Sequence, residues 1–432
     1  MAVTNAGQTS LTFTNLPIGV QVTKITDTSA DWASVANSTY FYDKGDGLVH
    51  YKNSSGIVLE LFSAGGLTYF TEAQSTASPN VVVPVESLTA TAAATNADVA
   101  IVPKGTGAFM LAVPNNGLGG DKRGQYAVDL QLNNRTVSSR VASGNSSITI
   151  GRDNTASGTD SLCLGALGNA TNTQSMIIGS GTSSGAASIA FGTSVVASNT
   201  VSASIGNLCT ASGTNSMALG HSSGATGDFS YALGREHTVS GVVASAIGGQ
   251  ACISSGSRSI VIGHSSIANG DYSFALGYQS NSFSVYGRQT YASGRFLTTG
   301  DAQKSLLVLR IATPSDTPTI LTSDAGVAAA TNQLFINTYS TIRFKGTIVG
   351  RAQSGGPTDV GVWDIDGVMS RATATPQLTV GNVNLVTNPA PFGTPTLTID
   401  TVNRTLRVQV TGLAGVPAQW VATIETTEVI YV

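Results

Sequence analysis

The chain has 432 residues, enough for several domains, yet charged residues make up only 10% of it, against about 25% in an ordinary globular protein. Its formal net charge of −3 leaves no basic footprint for nucleic acid or an anionic membrane, and no apolar run approaches the roughly 20 residues that cross a bilayer. Gly, Ser, Thr, Asn and Ala stand in for the missing charges, which favours a fibrous object anchored through another protein, with no nucleic-acid partner and no membrane insertion. Starting from the N-terminus, Ser10–Thr14, Thr39–Tyr42, Leu48–Tyr51 and Gly56–Phe62 predict short strands, with Asp43-Lys-Gly-Asp-Gly47 as a turn. These make residues 1–70 a small β-domain with a hairpin, read as an attachment region. Residues 71–145 are rich in Ala, Thr and Val with Gly-Gly turns and little bulky core, and predict an extended shaft or connector.

A glycine then recurs at Gly151, Gly165, Gly179, Gly192, Gly206, Gly220, Gly234, Gly248, Gly263 and Gly277, at intervals of 13, 14 or 15 residues. A unit this short buries nothing alone, so successive units must stack as coils. The residue before each glycine is large and apolar: Ile150, Leu164, Ile178, Phe191, Ile205, Leu219, Leu233, Ile247, Ile262 and Leu276. The residue two before it is usually small, as at Thr149, Cys163, Ala190, Ser204, Ala218 and Ala232. A strand turns these positions to opposite faces, small side chains into a thin coil interior and large ones outward. An outward apolar stripe on every coil needs a cover, most simply another copy of the chain. A weaker half-motif, as in Ala156-Ser-Gly158 and Ala211-Ser-Gly213, predicts a second short strand and turn in each coil. The product is a flattened parallel β-roll rising about 4.8 Å per coil.

The Ser-x-Ala-x-Gly unit, as in Ser216-Met-Ala-Leu-Gly220, Ser230-Tyr-Ala-Leu-Gly234 and Ser273-Phe-Ala-Leu-Gly277, resembles the head repeat of YadA-type trimeric adhesins over residues 146–280. The resemblance implies a left-handed parallel β-roll assembled as a homotrimer, and implies no particular ligand. Ahead of the roll, Asp98–Gly107, Gly119–Gly124, Tyr126–Gln131 and Val141–Gly144 resemble a segment that precedes such repeats in bacteriophage tail-fibre proteins. From the opening Met-Ala-Val-Thr-Asn-Ala-Gly no signal peptide is expected, nor is a membrane anchor of the adhesin kind at the C-terminus. The expectation is therefore a virion tail protein made in the host cytoplasm, held to other tail or baseplate proteins through its N-terminal region.

Residues 146–300 hold the roll and its neck; beyond 300 the repeat stops. Ser305–Ile311, Thr341–Val349, Val360–Asp366, Pro395–Asp400, Thr405–Val410 and Trp420–Glu425 are longer alternating strands, and predict an antiparallel sandwich or jelly roll over 301–432. The fold class is thus all-β: a trimeric fibre with a left-handed parallel β-roll of about ten 14-residue coils and a C-terminal β-sandwich knob.

Cys163, Cys209 and Cys252 sit two before, three after and four after their glycines, which predicts free core or turn residues on no common ladder. His221 and His264 share a register three coils apart, about 14 Å, too far for one chain to bring both to a metal. With Asp43, Asp46, Asp364 and Asp366 beside turn glycines, no metal site and no cofactor is expected. A distal knob is where a host receptor, glycan or protein, is expected to bind, and Trp363 and Asp364 are the binding candidates. An alternative is a polysaccharide-cleaving spike using Asp359, Asp364 and Asp366 with Trp363 as a sugar platform. A third is a purely structural virion fibre. The function expected is noncovalent attachment to the host, without catalysis.

Overall fold

A computed structural model of the chain describes residues 9–12, 21–24, 40–43, 49–52, 58–60, 70–75, 85–91, 96–115, 119–132, 135–353 and 359–431. The described residues contain strands and no helix. They fall into two compact units, Met1–Val102 and Pro103–Val432.

In the first unit Thr9–Thr12 pairs antiparallel with Gln21–Lys24. Tyr40–Asp43, Val49–Lys52 and Val58–Glu60 form a three-stranded antiparallel meander, in agreement with the strands read there. Phe70–Ser75 and Val85–Ala90 make a further antiparallel pair. Asp46 and Gly47 of the expected turn lie outside the described residues.

The second unit is built on the roll. A parallel ladder runs in register through Ile148–Arg152, Leu162–Ala170, Met176–Ser183, Ile189–Ala197, Ala203–Asn207, Met217–His221, Tyr231–Arg235, Ser245–Gln250, Ile260–His264 and Phe274–Tyr278. Repeat glycine pairs with repeat glycine, as Gly206 with Gly220 and Gly220 with Gly234. The second ladder stacks Thr210–Ala211, Gly224–Ala225, Thr238–Val239, Ile253–Ser254 and Ile267–Ala268. Side chains from both ladders fill a thin interior: Cys163, Ala190, Ala218, Ala232, Ala246 and Ala275 from the first, Ala170, Ala211, Ala225 and Ala268 from the second, all fully buried. Where the larger Ile177 enters that interior, the neighbouring coil supplies Gly168, whose absent Cβ would lie 3.2 Å from Ile177 Cγ2. Close packing holds the interior volume constant from coil to coil.

Several turns are closed by the serine that opens the next strand. Ser161, Ser216 and Ser273 donate to the carbonyls of Gly158, Gly213 and Gly270, at 2.7, 2.6 and 2.6 Å. The repeat glycines answer a backbone demand: Gly220 has φ +127°, and a Cβ there would strike the carbonyl of Gly234 in the next coil.

The ladder begins earlier than the repeat. Val128–Gln131 pairs with Ile148–Gly151, and Phe109–Met110 pairs with Val128–Asp129, both parallel. Part of the stretch expected as a shaft is therefore coil. Its buried Asp129 accepts from Arg123 Nε at 2.6 Å, Arg135 Nη2 at 2.9 Å, Gln131 Nε2 at 3.0 Å and Thr149 Oγ1 at 2.7 Å. That network plugs the first coils with paired polar groups, although Arg123 Nη2 is buried without a partner, and caps the end of the solenoid.

At the other end the roll does not stop at a linker. Phe274–Tyr278 pairs parallel with Gln289–Ser293, whose Gln289–Tyr291 pair antiparallel with the strand Ala302–Thr313. From there one antiparallel sheet continues through Ala418–Ile430, Ser340–Ala352, Val360–Arg371 and Gln377–Thr387. A smaller antiparallel sheet centres on Thr405–Thr411, flanked by Gly393–Asp400 and by the short strands Thr319–Ile320 and Leu334–Phe335. Leu307, Leu309, Phe344, Trp363, Leu406, Val408 and Trp420 belong to one buried core drawn from both sheets, the sandwich expected from alternation. The knob and the roll thus share a sheet. At their seam Arg288 pairs with Glu428, which also accepts from Gln303 Nε2 at 3.0 Å and Ser305 Oγ at 2.5 Å, all buried. Burial acts to raise the Glu428 carboxyl, but Arg288, Ser305, Thr426 and Gln303 outweigh it and hold it below its ordinary value of 4.5.

Candidate functional site

The residues before the repeat glycines all point away from the coil interior. Ile150, Phe191, Leu219, Ile247, Ile262 and Leu276 are 36% to 51% exposed on the single chain, and Leu164, Ile178, Ile205 and Leu233 are half-buried. Ile189, Tyr231 and Ile260, two positions earlier in their strands, are exposed on the same face and widen the stripe. Pairing in register places one such row above the next, so the outer face of the roll is a continuous apolar band. A water-soluble monomer rarely carries one of this extent.

The knob corrects one candidate. Trp363 is buried, stacked on Trp420 at 6.0 Å between ring centroids, so its ring is core and offers no platform to a sugar. Its burial follows from strand parity: along Val360–Arg371 the buried residues are Gly361, Trp363, Ile365, Gly367, Met369 and Arg371. Gly361 and Gly350 make room for the two indoles, since a Cβ at either would run into the ring of Trp363 or Trp420. Asp364 lies on the opposite, exposed face and accepts from Thr347 Oγ1 at 2.9 Å. Asp366 shares that face and pairs with Arg343 at 3.2 Å. Both line a shallow depression of about 360 Å³ with Lys345 and Glu425, themselves ion-paired at 3.3 Å. A wider groove of about 540 Å³ adjoins it, lined by Tyr291, Lys304, Arg343 and Lys345.

Inside the roll, a polar ladder escapes the sequence motifs. In several coils the side chain about three residues after the repeat glycine turns inward and binds the backbone of the following coil. Ser223 Oγ donates to Gly234 O at 3.0 Å and accepts from His237 N at 3.3 Å. His237 Nδ1 accepts from Cys252 N at 3.2 Å, which leaves the proton on Nε2, 3.1 Å from Gly248 O. Ser266 repeats the pattern with Gly277 O and Ser280 N, both at 3.1 Å. The pairings of Thr210 with Gly224, Gly224 with Thr238 and Thr238 with Ile253 put Cys209, Ser223, His237 and Cys252 in one column. Cys209 and Cys252 therefore do share a ladder, contrary to the reading from spacing; Gly249 is the extra residue that offsets the count. All three cysteines are free and buried, and burial pushes the Cys163 thiol up to about 12.

His221 and His264 are exposed, but they close the strands Met217–His221 and Ile260–His264 rather than lying in turns. Among the described residues no three His, Cys, Asp or Glu side chains gather where they would hold a metal ion, and no helix is long and apolar enough to cross a membrane.

The YadA head domain repeat (2 copies) is matched at residues 142–167, 211–236 and 254–280. These segments are YadA-type head repeats within an all-β chain. No curated protein matches the chain. Among solved structures, the tailspike protein of Acinetobacter baumannii phage AM24 is 10% identical with a TM-score of 0.17, over 74% of this chain and 76% of that one. A tailspike protein from Acinetobacter baumannii bacteriophage Fri1, described as a capsular polysaccharide depolymerase, is 7% identical with a TM-score of 0.16, over 66% and 69%. Neither places a residue of this chain in a site.

Proposed function

We propose that the protein is a homotrimeric receptor-binding fibre of a bacteriophage tail that attaches the virion to the host surface without covalent chemistry. The observation that carries this reading is the apolar band on the outer face of in-register head repeats, which calls for further copies of the chain. Three copies around one axis cover the bands and repeat every other surface threefold, so weak single contacts multiply into firm attachment. In this reading residues 1–70 join the tail or baseplate, 71–145 connect, 146–300 form the roll and 301–432 form the knob that meets a glycan or protein receptor. Of the two residues first assigned to that contact, Asp364 keeps an exposed position on the knob sheet.

A depolymerase is the second reading, favoured by Asp364, Asp366 and Glu425 sharing one open face. Incubating the purified protein with host cells and with their isolated surface polysaccharide separates the readings. Retention on cells with no new reducing ends is the expected result. New reducing ends would make it an enzyme, and neither retention nor cleavage would make it a structural fibre.

A further inference from the structure

The turn that precedes each Ser-x-Ala-x-Gly strand carries one residue in the left-handed region, and the choice of residue there runs against backbone preference. Asn215, at φ 54°, is the type that this region accepts with least strain. In the coils that follow, the same place is taken by Phe229 at φ 56°, Val243 at 58°, Arg258 at 56° and Tyr272 at 56°. Each is tied to the coil before it by the same backbone bond, such as Phe229 N to Thr214 O and Tyr272 N to Ser257 O, both 2.8 Å. The side chains therefore form a column, one per coil. All four are exposed, so no core packing rewards the strain. Left-handed residues occur in both turns of the coils, as at Leu208 and Glu236, so what sets this column apart is the exposed rings and guanidinium that it presents.

The column is also organised. The Arg258 guanidinium lies over the Tyr272 ring at 5.3 Å, and Tyr286 packs on Tyr272 with ring centroids 5.1 Å apart. Beside the rings, Asp228 and Asp271 each fix one carboxylate oxygen on a turn amide, Thr214 N and Ser257 N, at 2.8 Å, and are exposed to solvent. Ring faces flanked by oriented carboxylates are the groups that hold a pyranose, by stacking on its apolar face and accepting from its hydroxyls. The column advances by one side chain per coil, about 4.8 Å apart, with its two ring-and-carboxylate units, Phe229 with Asp228 and Tyr272 with Asp271, three coils apart, a spacing that suits an extended polymer rather than the irregular surface of a protein.

We propose that the column Phe229, Val243, Arg258 and Tyr272, extended by Tyr286, binds an extended polysaccharide lying along the roll. The inference rests on the attachment reading above and moves the glycan contact from the knob to the flank of the roll. The test uses the full chain on a printed panel of purified bacterial capsular polysaccharides. Tyr272→Asn and Phe229→Asn remove the rings while relieving the turn. Each is expected to keep the oligomer and to melt no lower than the parent, yet to weaken retention about tenfold, the loss typical of a binding hot spot. Ser222→Asn, in the other turn of a coil, is expected to leave retention unchanged. Undiminished retention in the ring variants overturns the assignment, as does their dissociation into monomers, which would make the column a subunit contact. A parent chain that binds host cells but none of the polysaccharides, through a protein receptor for instance, also overturns it and leaves the attachment reading standing. A parent chain that binds no cells defeats the attachment reading itself.

Discussion

His237 is the one imidazole in the polar ladder of the roll, in a place that Ser223 fills in the coil before it and Cys252 in the coil after it. Burial is the main force on it and lowers its proton affinity below the ordinary value of 6.5, against smaller opposing effects of the Gly248 and Leu233 carbonyls. The folded state thus holds His237 neutral where the unfolded chain protonates it. Its contribution to stability is complete above pH 6.5 and is lost as pH falls through the depressed folded value. Protonation also removes the acceptor of the Cys252 N–H. The expected outcome is a thermal midpoint that drops on acidification by more in the parent than in His237→Ser, followed by circular dichroism; equal slopes would show that the ring is not under this constraint. Nothing in the sequence singles out His237, because the position varies freely among Asn, Gly, Val, Cys, Ser and His, and the polar members show their role only through backbone bonds to the next coil. The glycines themselves were legible, since a fixed positive φ leaves a fixed residue type behind.

At the scale of the strand, the two faces of the first ladder make different demands. Ala218 is fully buried, so Ala218→Leu overfills the coil and is expected to cost about 1–3 kcal/mol. Leu219, its neighbour, is 41% exposed on the single chain. Leu219→Asp and Ile247→Asp are therefore mild for a lone roll. Against a partner's apolar band each buries an unpaired charge, on the order of a few kcal/mol per chain. The account expects both variants to fall apart into subunits, and Asn215→Asp in the polar turn to remain assembled, by size-exclusion chromatography with light scattering; intact assembly in all three would reject the face assignment. Alternation read from the sequence located these faces correctly, and it also located the long strands of the knob. What it could not supply was parity. Trp363 and Asp364 are adjacent on one strand and read as one binding feature, but neighbours on a strand point to opposite sides, and Gly350, which admits the Trp420 indole to the core, lies on a different strand, paired with Gly361.

For the whole molecule, the shared sheet matters more than any domain boundary. A fragment starting at residue 301 would strip the edge strand Gln289–Ser293 from Ala302–Thr313 and leave Glu428 buried without Arg288. Removing one partner of a buried pair costs about 3–5 kcal/mol. Such a fragment is expected to melt well below one that starts ahead of Phe274, and equal midpoints would show that the seam is not structural. The seam was illegible in the sequence because its partners are far apart in the chain, with Arg288 in the last coil and Glu428 near the C-terminus. The account as a whole depends on the apolar band being covered by further copies of the chain. Sedimentation equilibrium of the full-length protein at micromolar concentration tests this directly. A single species with three times the mass of one chain, unchanged on dilution, is the predicted result, and a stable, soluble monomer would contradict it.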